Sequence, residues 1–204
     1  YILIRKSVKN VNMRIKPDGY VYISANNKVS IAFIESFIAD KSNYIFNAFE
    51  KYRRKNGEET HTDGKQLTDG DTLMLLGKPY ILKIVESDKT LITVLDDNII
   101  LNIKDLNNVN IAISEWYHKY AECLFDRINI ETCEKYAEYN IPLAKLQLRT
   151  MKSRWGSCHY KFNKIVINTR LVYYPIECVN YIFCHEYAHF IVPNHSKDFY
   201  DLVK

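Results

Sequence analysis

Apolar and polar positions divide the chain into stretches of period two and stretches of helical period. Val11, Met13 and Ile15 alternate with polar residues, Pro17-Asp18-Gly19 turns, and Tyr20 to Ala25 returns, which predicts a hairpin with Ile2 to Ile4 joined to it. Ser30 suits an N-cap, and Ile34, Phe37, Ile38, Ile45, Ala48, Phe49 and Tyr52 keep the spacing of one long helix. The basic run 51–55 at its end reads as a solvated C-terminus rather than a nucleic-acid patch. Residues 56–71, with Gly57, Gly64 and Gly70, read as a long loop. Four short strands, 72–76, 79–86, 91–95 and 99–103, then predict an antiparallel meander.

Across 107–110 the period changes to helical. Ile113, Trp116, Tyr117, Tyr120, Ala121, Leu124, Phe125 and Ile128 mark one face of a long helix, and a second helical piece is expected over 131–139, closed by Ile141-Pro142. Leu146, Leu148 and Thr150 alternate as a strand, and Ile165 and Ile167 mark another over Lys164–Asn168. A last helix follows, with Pro175 at its first position, Glu177 in its first turn and Pro193-Asn194 beyond its end. The class is α+β. Residues 1–108 are expected to form a β-rich N-terminal domain of hairpin, helix and meander, and residues 109–204 a second domain.

That last helix carries His185, Glu186 and His189. A four-residue step turns about 40° around a helix, so both imidazoles face one way, while Glu186 projects about 60° from His189, placed to orient a water on a metal. His195 lies beyond the turn, where the chain can double back with a third imidazole and make an open tetrahedral zinc site. The pattern also occurs on ordinary surface helices, but the flanking Val179, Ile182, Phe183 and Phe190 are apolar, and a buried polar trio without a task is costly. Cys158 beside His159 is a poor nucleophile pair because adjacent side chains point apart, and Cys184 diverges by about 100° from His185.

Composition narrows the setting. A charge of +4, from 28 basic and 24 acidic residues, is too small to argue for nucleic acid. Five cysteines without a Cys-x-x-Cys pair fit neither a disulfide framework nor a zinc ribbon and suit a reducing cytoplasm. No apolar run approaches about 20 residues, and the opening Tyr1 to Arg5 is too short for a signal peptide, so a soluble protein is expected. A first residue other than Met and an end soon after His195 suggest a piece of a longer chain.

The ordered set Met151-Lys-Ser-Arg-Trp-Gly-Ser-Cys158, Ile165 to Asn168, Leu171, Pro175, His185-Glu-Tyr-Ala-His189 and Asn194-His195-Ser196 with Phe199 resembles the YgjP-like family of zincin-type metallopeptidases. Ile15-Lys-Pro-Asp-Gly19 resembles that family's N-terminal region less specifically. The resemblance implies a zincin-like catalytic region in which His185, His189 and His195 bind zinc and Glu186 is the general base. The histidine spacing also matches the metzincins, but Val192 stands where they have glycine and every methionine lies upstream. The segment is similar to SprT-like proteases too, although no cysteine-rich ribbon follows. A downstream Glu ligand of the thermolysin kind would need residues past Lys204, and within the chain Asp198 and Asp201 are the downstream carboxylates.

The expected activity is zinc-dependent hydrolysis of peptide or protein substrates. Lys164, Ile165, Val166, Ile167 and Asn168 are expected to form an exposed edge strand that pairs with an extended peptide, while Trp155 and Gly156 are read either as a pocket wall at the substrate site or as core filling. The rival is hydrolysis of a phosphoanhydride such as a nucleotide's, with Lys152, Arg154 and Arg170 meeting the phosphates. A structural zinc in a binding module is a third reading, disfavoured by the unliganded Glu186.

Overall fold

The computed structural model describes residues 1–16, 20–41, 44, 45, 48, 51 and 66–203. The expected turn at 17–19, most of the basic run 51–55 and most of the loop 56–71 lie outside these. The chain divides into two compact units, Tyr1–Glu59 and Thr60–Lys204.

In the first unit, β1 (Ile2–Arg5), β2 (Asn12–Ile15) and β3 (Val21–Ala25) form a sheet with β3 in the centre, antiparallel to β2 and parallel to β1. Alternation explains its two faces: Val21, Ile23 and Ala25 are buried while Tyr22 and Ser24 are less so. Ile34 of α1 (Ile31–Asp40) and Ile45 complete this core, and the Ser30 hydroxyl accepts from the Phe33 amide as the expected cap.

Among its described residues the second unit holds two sheets and three α-helices. β4 (Thr72–Leu75), β5 (Lys78–Glu86), β6 (Leu91–Leu95) and β7 (Asn98–Ile103) lie where the periodicity places strands, but the order is β4-β5-β7-β6 with β5 and β7 parallel. The expected meander is therefore corrected. In β7, Ile99, Leu101 and Ile103 are buried, whereas Leu91, Val94 and Leu95 of β6 are exposed, so burial favours β7 inside and β6 at the edge.

Helix α2 (Val109–Lys135) runs unbroken through the residues where a second helical piece is expected to begin, and a 3-10 turn follows at Ala137–Tyr139. The expected boundary at 108/109 is not where the compact units divide. Tyr117 Oη of α2 donates to the Met74 carbonyl at 2.8 Å, and the Leu76 and Gly77 amides donate to the carbonyls of Val172 and Tyr173 at 2.8 and 3.1 Å. These bonds, inside the unit, tie β4 and the turn after it to α2 and to residues 172–173.

The second sheet sets the site. β8 (Lys145–Arg149), β9 (Gly156–His159) and β10 (Lys164–Asn168) are ordered β8-β10-β9, with β10 parallel to β8 and antiparallel to β9. Against it packs α3 (Ile176–Ala188), preceded by Pro175 at the N-cap, one residue earlier than expected, and followed by the short α4 (Lys197–Val203). Val179, Phe183, Tyr187, Ile165 and Ile167 are fully buried. No helix among the described residues is long and apolar enough to cross a membrane.

Candidate metal centre

His185 and Glu186 stand in the last turn of α3 and His189 at its C-cap, so the helical spacing read from the sequence holds to the helix end. Beyond Pro193 the chain reverses and returns His195. The three rings meet with centroids 4.9 Å apart in every pairing, and one nitrogen from each lies within 4.8 Å of the others. Nε2 of His185 and Nε2 of His195 are 3.1 Å apart.

This donor set fits a metal. Ligands at about 2.0–2.1 Å in a tetrahedron are about 3.3 Å from one another, close to the 3.1 Å between the His185 and His195 nitrogens. Burial, with the neighbouring His189 and His195 adding to it, pushes His185 down to about 3, so it is neutral with its lone pair available. His189 is also lowered, by burial and then His195, against the opposing Val192 and Pro193 carbonyls. Its Nδ1 lies 3.4 Å from the Val192 carbonyl, which orients the ring and leaves Nε2 for an ion. His185 Nδ1 is buried without a hydrogen-bond partner among the described residues. Phe199 of α4, fully buried, packs on all three imidazoles with centroid distances of 4.8, 4.6 and 4.7 Å.

Glu186 is 5% exposed and lies against β9. Burial pushes its carboxyl up to about 8, while the Cys158 backbone N–H it accepts and the charge of Arg154 pull the other way. Cys158 itself is no nucleophile, because burial and then the Glu186 charge push its thiol up to about 12. His159 turns away to Ser157, 3.3 Å from Nε2 to Oγ, and Cys184 lies 3.5 Å from Lys135 Nζ. Neither Asp198 nor Asp201 joins the histidine cluster.

The expected substrate strand is a correction. β10 is central, paired on both sides, and Ile165, Val166, Ile167 and Asn168 are all buried, so its backbone has no free edge for a peptide. Lys164 instead donates to Gln147 at 3.4 Å. Trp155 is buried and packs edge-on against Tyr174, the core-filling alternative of its reading. The continuous apolar run Ile165-Val166-Ile167 is the signal that marks a strand covered on both faces. Gly156 and Phe199 belong to the motifs read from the sequence, but their parts come from the structure: Gly156 lies against Glu186, and Phe199 packs on the imidazoles.

A mixed α+β protein with three convergent imidazoles and a buried carboxyl beside them has the layout of a metal-dependent hydrolase. The chain belongs to the YgjP-like family, whose metallopeptidase-domain model matches residues 9–204. Membership implies a metal cofactor and a peptide or protein substrate. No curated protein and no solved structure gives a significant match.

Proposed function

We propose that this protein is a zincin-like zinc peptidase in which His185, His189 and His195 hold the metal and Glu186 is the general base. The observation that carries this reading is the convergence of three imidazoles at the end of the helix that bears Glu186. When bound, the ion supplies an acidified water and polarises the scissile carbonyl. Glu186 accepts a proton from the attacking water and returns it to the leaving amine. Five free thiols favour a reducing cytoplasm as its setting.

A second reading, phosphoanhydride hydrolysis at the same centre, is favoured by one observation. Between Glu138 and Glu177 there is no acidic residue, yet Lys145, Arg149, Lys152, Arg154, Lys161, Lys164 and Arg170 all fall there. Zinc-loaded protein and its Glu186→Gln variant, assayed on denatured protein and on nucleoside triphosphates, separate the two. Proteolysis that disappears in the variant is the expected outcome, together with less bound zinc in His195→Ala. Equal zinc in His195→Ala, or turnover of triphosphates alone, sinks the first reading.

A further inference from the structure

Glu186 is held by backbone rather than by side chains of β9. A Cβ added at Gly156 would collide with Oε1 and lie 2.8 Å from both Cδ and Cγ. The glycine is thus required for space. Its φ lies outside the left-handed region, so no conformational demand explains it. Two residues on, the Cys158 amide donates to the same carboxylate. The edge of β9 nearest α3 is therefore engaged by Glu186.

The strand is fixed from behind. Asn168, 2% exposed, donates through Nδ2 to the carbonyls of Met151 and Arg154 at 2.8 Å each, and its Oδ1 accepts from the Met151 and Arg170 amides at 3.3 and 3.1 Å. Its own amide donates to the Trp155 carbonyl at 2.9 Å. The segment that delivers Gly156 is consequently pinned to the central strand.

We infer that Gly156 is a positioning residue for the reaction: the bare backbone of β9 forms a seat into which the Glu186 carboxylate fits, and any side chain at 156 turns the carboxylate out of line. The inference rests on Glu186 being the general base. It adds that β9 aims that base and leaves the metal ligands alone. A Cβ would meet Cγ as well as the carboxyl end of this buried side chain, and the displacement gives up the Cys158 N–H bond, a cost that still leaves the chain folded.

The test compares Gly156→Ala, Glu186→Gln and the double variant in steady-state peptide hydrolysis, with zinc stoichiometry and melting temperature measured on each. Gly156→Ala is expected to fold and to bind zinc as the wild type does, with KM within about twofold and kcat lower by about 10²-fold, the scale of a displaced general base. Adding Gly156→Ala to Glu186→Gln should cause no further loss, because both changes act through one carboxylate. Several outcomes overturn the seat: kcat within about threefold of wild type while Glu186→Gln is inactive, loss of zinc, failure to fold, or a further loss in the double variant. An active Glu186→Gln overturns instead the assignment of the base itself, and the seat with it.

Discussion

Glu186 is where single-residue chemistry is most exposed to test. In metal-free protein its carboxyl is raised from 4.5 to about 8, so the folded state holds a proton that the unfolded chain gives up. Its contribution to stability is present below pH 4.5 and is lost as pH rises to about 8, with a ceiling on the order of 4–5 kcal/mol. His185 works in the other direction. Lowered from 6.5 to about 3, it contributes stability above pH 6.5 that is lost as pH falls toward 3. Between pH 6.5 and 8 His185 adds no slope, so thermal melts of metal-free wild type should weaken with pH more steeply than those of Glu186→Gln. Parallel melting curves for the two proteins would contradict the burial assigned to this carboxyl.

At the scale of elements, the second sheet depends on one amide side chain. Asn168→Ala strips four half-buried hydrogen bonds, three to Met151 and Arg154 in the segment leading into β9 and one to the Arg170 amide. A cost of about 2–4 kcal/mol follows, which lowers Tm by on the order of 5–10 °C in a chain of this size. Zinc stoichiometry at 25 °C should not change, because the ligands stand on α3 and the chain after it; differential scanning calorimetry with metal analysis reads both. The histidine pair was legible in the sequence because helical geometry is local, and His185 and His189 need nothing from elsewhere to face one way. Pairing partners are another matter. Lys164–Asn168 and Gly156–His159 are both short, and which of them lies at the sheet edge depends on β8, whose sequence carries no mark of its parallel partner. The parallel β5–β7 neighbours were hidden for the same reason. Asn168 read as a strand end, and its role as a clamp on residues 151–155 became visible only with the loop folded over it.

For the whole molecule the informative boundary is the one between Glu59 and Thr60. The apolar period changes near residue 108, and the helix does begin there, but Tyr117, Leu76 and Gly77 bind the preceding sheet to the elements around the histidines. Gly77, with φ +81°, comes so near the start of α3 that a Cβ would sit 2.7 Å from Pro175 Cγ. A fragment of residues 60–204 should therefore fold cooperatively and bind zinc with the stoichiometry of the full chain, whereas 109–204 should not. Circular dichroism melts and metal analysis of both fragments check this; a well-folded 109–204 fragment would remove the first sheet from any part in supporting the centre.

Phe199 gives the three imidazoles a shared solid backing before any ion arrives. Rotamers that a metal would otherwise have to freeze are already narrowed by contact with that ring, so loading asks little ordering of the protein. For the proposed zinc site this sets an expectation opposite to that of a zinc finger, where capture of the ion is the act of folding: chelated and zinc-loaded protein should give the same far-ultraviolet circular dichroism, and added zinc should restore the original stoichiometry.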